Sequence, residues 1–214
     1  MGYAAIIVAM VILMVVGAYF AGRNKVKISI KELAVSAILI ALAFVSSNIK
    51  LMKAPMGGSV TLFSMLFICL IGYWYGIRVG LIAGLTYGFL QLIVDPYIIS
   101  LPQMLIDYLF SFTALGLSGI GHHLDKKFDF KIVEFGGLQI GYIIGVLGRY
   151  FFAFLSGYVF FGEWAPESMG PVVYSLVYNG AYLGIEGAIT LILLSIAPVS
   201  KALKMARNIV NPEK

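Results

Sequence analysis

Long apolar runs separated by short polar gaps dominate the pattern of the chain. An α-helix needs about 20 apolar residues to cross a hydrocarbon core of roughly 30 Å, and seven runs approach that length. We therefore predict seven transmembrane helices, near residues 3–22, 30–49, 59–76, 78–94, 99–121, 135–161 and 171–197. The third and fourth runs are joined by the short segment 75–78, which predicts a tight helical hairpin.

The composition supports a membrane protein. Of the 214 residues, 61% are hydrophobic and 12% are charged, whereas an ordinary soluble domain has about 25% charged residues. The predicted fold is an all-α, polytopic membrane helical bundle. No basic segment precedes the first apolar run, so we interpret it as a retained transmembrane helix within residues 1–25 and not as a cleaved signal peptide. Residues 26–214 form the remaining domain.

The basic residues predict the orientation of the bundle. With the N-terminus outside, Lys50 and Lys53 lie outside, and the C-terminus is cytoplasmic. Twelve basic residues then lie on the inner side: Arg23, Lys25, Lys27, Lys31, Arg78, Lys126, Lys127, Lys131, Lys201, Lys204, Arg207 and Lys214. This asymmetry follows the positive-inside rule for a cell-membrane protein and explains the basic pI of about 9.2 without a nucleic-acid partner.

Three charged residues fall well inside predicted spans, away from their ends: Asp107, Arg149 and Glu186. Such residues are costly in a membrane and are usually functional. We expect Arg149 to pair with Glu186, which leaves Asp107 free for a ligand; an Asp107–Arg149 pair is the alternative. The surplus negative charge suits a small cationic ligand or a proton.

The spacing of residues within the helices predicts a binding layer near the outer face. Tyr87, Asp107 and Asn179 each lie seven or eight residues from the outer end of a span, which corresponds to a depth of about 10–12 Å. The outer loops add aromatic residues that attract organic cations or form an interfacial belt: Tyr97, Phe160, Phe161, Trp164 and Tyr174. The pattern predicts a cavity for a flat cationic heterocycle.

No enzyme motif accompanies these residues. The sequence has no Walker, His-Glu-x-x-His or Gly-x-Ser-x-Gly pattern, so we predict no catalytic residue, cofactor or metal. Cys69 is the single cysteine, and His122 and His123 at an inner helix end indicate a solvated boundary. A self-sufficient proton-coupled carrier, with Asp107 and Glu186 as titrating groups, remains an alternative function.

Glycines recur at helical spacing in three runs, where small residues allow helix backbones to approach closely in lipid. We expect helix packing at Gly80, Gly84 and Gly88, at Gly137, Gly141 and Gly145, and at Gly180 and Gly184.

Several motifs resemble those of one known family. They are Gly57-Gly58-Ser59-Val60-Thr61-Leu62, Tyr87-Gly88, Pro96-Tyr97-Ile98, Gln103-Met-Leu-Ile-Asp107-Tyr108 and Tyr174-Ser-Leu-Val-Tyr-Asn179-Gly180. Over about residues 30–200 the chain resembles the thiamine-specific S-component of energy-coupling factor (ECF) transporters. The last two motifs are the most specific.

The resemblance implies a six-helix S-component core that captures a vitamin from the outer side, here with one extra N-terminal helix. A coupling membrane subunit and two ATPase subunits, all separate chains, are the implied partners. The implied substrate-binding residues are Tyr87, Tyr97, Asp107, Tyr108, Phe161, Tyr174 and Asn179. The small residues Ala37 and Ala41 are implied to dock on the coupling subunit.

The chain departs from the family pattern at the aromatic positions. Some members have tryptophan where this chain has Tyr87 and Phe161, and histidine where it has Ala153. A thiamine precursor or another vitamin is therefore an alternative ligand.

Overall fold

The computed structural model describes residues 28–94, 96–127 and 136–211. Six apolar helices in these ranges correspond to the second through seventh predicted spans: α1 (Ile30–Asn48), α2 (Ser64–Tyr75), α3 (Ile77–Gln91), α4 (101–127), α5 (Gly137–Phe160) and α6 (Pro171–Ser195). Four of them, α1, α4, α5 and α6, are long and apolar enough to cross a membrane, and α2 and α3 are shorter. The predicted helix at 3–22 lies outside the described residues.

Helix α1 begins at a capping box, in which Ser29 and Glu32 each accept a hydrogen bond from the other's backbone amide. Its buried face contains Ser36, Leu39 and Ala43, whereas the opposite face is exposed and apolar. This division is typical of a helix with one side on the bundle and the other on lipid.

A short antiparallel hairpin follows α1. Strand β1 (Lys50–Lys53) pairs with strand β2 (Ser59–Thr61), and a 3₁₀ turn (Pro55–Gly57) connects them. We call residues 50–61 the hairpin. The predicted span at 59–76 was therefore too long at its start, because residues 59–61 pair with β1 and the helix begins at Ser64.

Helices α2 and α3 are separated by Gly76, whose φ of 91° permits the tight reversal that segment 75–78 predicted. Helix α4 is continuous but changes pitch. It contains a π-helical segment, Leu105–Phe110, and a 3₁₀ segment, Leu115–Gly119. π-Segments inside α-helices occur frequently at functional sites, and this one contains Asp107 and Tyr108.

Glycines bring α2, α3, α4 and α5 into backbone contact. A Cβ at Gly84 would lie 2.5 Å from the carbonyl oxygen of Phe112, and one at Gly141 would lie 2.4 Å from that of Ser118. The packing prediction is therefore confirmed for the runs on α3 and α5. It is wrong for Gly184, where a Cβ would meet nothing within 4 Å.

An amphipathic helix that we did not predict, α7 (Ala197–Val210), crosses the end of the bundle opposite the hairpin. Arg207 on α7 forms an ion pair of 3.2 Å with Asp125 on α4 and lies 4.9 Å from the ring centroid of Tyr73 on α2. His122 is buried there and contacts the Tyr73 carbonyl oxygen at 3.0 Å, so the expectation that it is solvated was wrong.

Candidate substrate-binding site

A cavity lies at the hairpin end of the bundle, and all six apolar helices contribute to its wall. The empty space at this end, open solvent at the mouth included, is about 1040 Å³. All seven predicted binding residues line it: Tyr87, Tyr97, Asp107, Tyr108, Phe161, Tyr174 and Asn179. The structure thus brings them together, while their roles in binding stay a prediction.

The carboxylate of Asp107 is held by its own helix. Gln103, one turn earlier on α4, donates a 2.6 Å hydrogen bond from Nε2 to Oδ2 of Asp107. The same nitrogen donates to the carbonyl oxygen of Tyr97 at 3.1 Å, and Gln103 Oε1 accepts from the Ile99 amide at 3.2 Å. Gln103 therefore connects the carboxylate to the loop that precedes α4.

Tyr108 reinforces this connection. Its hydroxyl oxygen accepts a 2.8 Å hydrogen bond from the Tyr97 backbone amide. The loop before α4 is thus bonded to two side chains of that helix, and this places the Tyr97 ring at the cavity. The family resemblance implied Tyr97 and Tyr108 as binding residues, but neither the role of Gln103 nor these bonds were predicted.

Three aromatic rings form a cluster at the edge of the cavity. The centroids of Tyr97 and Phe161 are 6.0 Å apart, those of Phe161 and Trp164 are 5.1 Å apart, and those of Tyr97 and Trp164 are 6.4 Å apart. Tyr97 and Trp164 are 38% and 45% exposed, so the cluster has a free surface. Such an arrangement offers π-faces to an organic cation.

Tyr87 lies deeper in the wall and is fully buried. Its ring meets the edge of the Phe112 ring at a centroid distance of 5.0 Å, and its hydroxyl group is 3.4 Å from the Ala43 carbonyl oxygen. This residue therefore connects α3 to α1 and α4 while it faces the cavity.

Helix α6 presents Asn179 with its amide group oriented by neighbours. Asn179 Nδ2 donates to the Ser175 carbonyl oxygen at 3.0 Å, and Oδ1 accepts from the Tyr182 hydroxyl group at 3.0 Å. Tyr174, on the same helix, places its hydroxyl group 3.6 Å from the Met56 sulfur atom in the hairpin.

Several lining residues were missed from the sequence, among them Gln103, Tyr178, Tyr182 and Met56. Tyr174, Tyr178 and Tyr182 recur at intervals of four, the helical spacing that places side chains on one face. That periodicity could have identified Tyr178 and Tyr182 from the sequence. Met56 could not have been found in this way, because its position depends on the fold of the hairpin.

The predicted Arg149–Glu186 pair is wrong. Within residues 28–94, 96–127 and 136–211, Arg149 forms an ion pair with neither Glu186 nor Asp107. Its guanidinium group lies 4.1 Å from the centroid of the Phe112 ring and lines the cavity. The physical reason is that other donors occupy both carboxylates: Glu186 accepts hydrogen bonds from the segment around Thr61, and Asp107 accepts one from Gln103.

The described residues contain no group of three or more His, Cys, Asp and Glu side chains that could hold a metal ion. The two residues expected to dock a partner, Ala37 and Ala41, are both exposed on α1, on the side facing away from the bundle. Their role in docking stays a prediction.

Comparison with known proteins identifies the family. The thiamine transporter protein family (Thia_YuaJ) matches residues 33–206. The chain belongs to this family. Thiamine transporter ThiT from Bacillus subtilis (strain 168) is 35% identical over 137 residues, covering 62% of this chain and 70% of the relative. Thiamine transporter ThiT from Lacticaseibacillus paracasei is 32% identical over 127 residues, covering 54% and 63%.

A solved structure of ThiT from Listeria monocytogenes has the same fold, with a TM-score of 0.63 and 29% identity over 78% of this chain and 94% of that chain. Membership of the thiamine transporter family confirms the resemblance found in the sequence motifs and the prediction of a multi-pass membrane protein. The relatives are named as transporters, in agreement with the prediction that this family member is not an enzyme.

Proposed function

We propose that this protein is the substrate-capture component of an ECF-type vitamin transporter and that it binds thiamine in the cavity at the hairpin end. The observation that carries the proposal is the convergence of seven residues, chosen from sequence, on one cavity in a member of the thiamine transporter family. Thiamine is a cation with flat heterocyclic rings, and the cavity has a carboxylate and several aromatic rings in its wall.

Asp107 is the proposed counter-charge. Its carboxylate is held in place by Gln103 at 2.6 Å and has no ion-pair partner among the described residues. In a largely dehydrated site it offsets the positive charge of the ligand or accepts its hydrogen bonds. Tyr108, the next residue on α4, and Tyr87 line the cavity and are proposed to contact the ligand.

The rings of Tyr97, Phe161 and Tyr174 are proposed to stack on or border the heterocycle. Each contact of this kind contributes about 0.5–2 kcal/mol, with the larger values where water is excluded. Asn179 is proposed to hydrogen-bond a ring edge, because Ser175 and Tyr182 already fix the direction of its amide group.

We further propose that the hairpin end faces the outside and that the end crossed by α7 faces the cytoplasm. The distribution of Lys and Arg supports this orientation. Transport then depends on a coupling membrane subunit and two ATPase subunits. The exposed small residues Ala37 and Ala41 on α1 are the proposed contact with the coupling subunit, since small residues allow close helix approach in lipid.

The binding proposal is tested with purified protein. Isothermal titration with thiamine should give saturable binding, and Asp107→Ala should lower the affinity by about 30-fold or more, because losing one partner of a buried charge pair costs roughly 2 kcal/mol or more. Glu167→Gln, which neutralises an exposed carboxylate, is the matched control and should leave the affinity unchanged. Equal affinities of wild type and Asp107→Ala would contradict the pocket assignment. Competition with thiamine precursors and other vitamins tests the alternative ligands.

The partner proposal is tested by uptake into vesicles. The chain alone, with an imposed proton gradient, should not accumulate thiamine; accumulation would favour the self-sufficient carrier. With the coupling subunits present, Ala41→Trp should abolish assembly and uptake without changing thiamine affinity. Ile82→Trp, at an exposed position of α3, is the control and should assemble normally.

A further inference from the structure

Glu186 is a buried carboxylate on α6, 3% exposed, that does not line the cavity. It accepts hydrogen bonds from a segment more than 120 residues earlier in the chain, where the hairpin meets α2. Oε2 accepts from the Thr61 amide at 2.7 Å and from the Thr61 hydroxyl group at 2.8 Å. Oε1 accepts from the Met65 amide at 3.3 Å and from the Ser64 hydroxyl group at 3.4 Å.

These bonds replace a missing helix cap. Phe63, the residue before α2, has a φ of 61°, and its side chain makes no capping hydrogen bond. The first amides of a helix lack partners within the helix, and a negative charge near them is stabilising. Glu186 supplies both an acceptor and that charge from another helix, so it fixes the point from which the hairpin departs.

A second contact from α6 holds the other end of the hairpin. Tyr178, two turns before Glu186, accepts a 3.1 Å hydrogen bond from the Gly58 amide and donates one to the Pro55 carbonyl oxygen. A Cβ at residue 58 would lie 2.6 Å from the Tyr178 hydroxyl oxygen, so a glycine is needed for this approach. The hairpin is thus bonded to one helix both at its turn and at its base.

The hairpin also forms part of the cavity wall. Met56, Ser59 and Thr61 all line the cavity, and Thr61 is the residue that bonds to Glu186 most closely. A change in the position of Thr61 therefore changes the wall that any bound molecule would contact.

We propose that Glu186 is a positioning residue for substrate binding: through Thr61 and the start of α2 it holds the hairpin in place as a wall of the cavity. The inference rests on the proposed function, since it concerns how tightly the same cavity retains its ligand. A hairpin without this contact leaves the ligand more often exposed to water, so the main effect is on the dissociation rate. This agrees with the general tendency of affinity changes to appear in that rate.

The test measures two quantities on the full chain. The first is amide hydrogen exchange of residues 59–66, which reports the Glu186 contacts without any ligand. The second is the thiamine dissociation rate from a chase experiment with excess unlabelled thiamine. Glu186→Gln, which replaces one acceptor oxygen by an amide donor, should raise both rates by about tenfold, equivalent to ~1.4 kcal/mol. Thr61→Val, which removes the hydroxyl donor alone, should raise both by a smaller factor.

Thr190→Val is the matched control. Thr190 is buried one turn after Glu186 on the same helix, and its hydroxyl group donates to the Glu186 backbone carbonyl oxygen at 2.8 Å, not to the hairpin. This variant should leave both rates unchanged. In the double variant Thr61→Val/Glu186→Gln, the second substitution should raise both rates by a smaller factor than Thr61→Val does in the wild-type background. The reason is that the two residues share one contact.

If Glu186→Gln speeds the amide exchange of residues 59–66 but leaves the thiamine dissociation rate unchanged, the inference is overturned. It is also overturned if Glu186→Gln leaves the amide exchange unchanged. If Glu186→Gln does not fold, Thr61→Val decides between the same outcomes. Failure of wild-type protein to bind thiamine would contradict the proposed function instead; the exchange measurement would still show whether Glu186 holds the hairpin.

Discussion

Gln103 holds the carboxylate of Asp107 through a 2.6 Å hydrogen bond within α4. The side chain of Gln103 is 1% exposed, and its remaining bonds go to the backbone of Tyr97 and Ile99. One buried amide thus positions both the proposed counter-charge and a loop that supplies an aromatic ring. Gln103 therefore positions groups of the proposed binding site and does not serve packing alone.

The first prediction concerns this amide. Gln103→Leu should lower thiamine affinity by about 10- to 100-fold, because Asp107 loses its partner and the Tyr97 loop loses two hydrogen bonds of roughly 1 kcal/mol each. Gln139→Leu is the control: Gln139 is equally buried, but it bonds to the Leu194 carbonyl oxygen, away from the cavity. Titration of both variants checks the prediction, and equal losses would contradict it.

The second prediction concerns the aromatic cluster. Phe161→Trp should raise thiamine affinity roughly threefold, because an indole ring attracts a cation more strongly than a phenyl ring does. Phe151→Trp changes an exposed ring on α5, the helix that Phe161 directly follows, and should have no effect. Titration of both variants with thiamine and with an uncharged analogue separates the electrostatic effect from ring size. A gain of the same size for the uncharged analogue would argue against a cation–π contact.

The third prediction concerns helix packing and is independent of the ligand. Gly84→Ala should reduce stability by about 1–3 kcal/mol, because the added Cβ would lie 2.5 Å from the Phe112 carbonyl oxygen. Gly184→Ala should be neutral or slightly stabilising, since nothing lies within 4 Å and alanine favours a helix. Thermal unfolding in detergent measures both. Similar unfolding temperatures for the two variants would contradict the described packing.

The fourth prediction concerns α7. Arg207→Met should make residues 197–210 more sensitive to protease, because Asp125 loses its ion-pair partner and Tyr73 loses a cation at its ring. Thiamine affinity should stay unchanged, since none of these residues lines the cavity. Lys201→Met, at an exposed position of the same helix, should leave protease sensitivity at the wild-type level.

The spans were predictable because lipid imposes a simple rule on length and polarity. Asp107, Tyr87 and Asn179 were found from their depth alone, since equal distances from helix ends imply a common layer. The family resemblance added Tyr97, Tyr108, Phe161 and Tyr174, whereas other lining residues such as Gln103 and Tyr178 were missed. For Asp107, Tyr87 and Asn179, sequence and structure agree because the depth of a residue in the membrane depends only on its position along its own helix.

The partners of buried polar groups were not predictable in this way. Helical spacing does not reveal which helix faces which, so the opposite charges of Arg149 and Glu186 inside predicted spans wrongly suggested a pair. Strands of three and four residues leave too short a pattern to recognise, and the hairpin supplies the two closest donors to Glu186. The π-helical segment around Asp107 was likewise not predicted from the sequence.

The glycine contacts have a mechanical consequence. At Gly84 the backbones of α3 and α4 touch, and at Gly141 those of α5 and α4 touch; such close-packed contacts compress little. We expect these helices to keep their mutual geometry throughout a transport cycle and to shift together as one body. The glycines of α6 make no such backbone contact, so we expect α6, the helix that holds the hairpin, to move relative to the other three more readily.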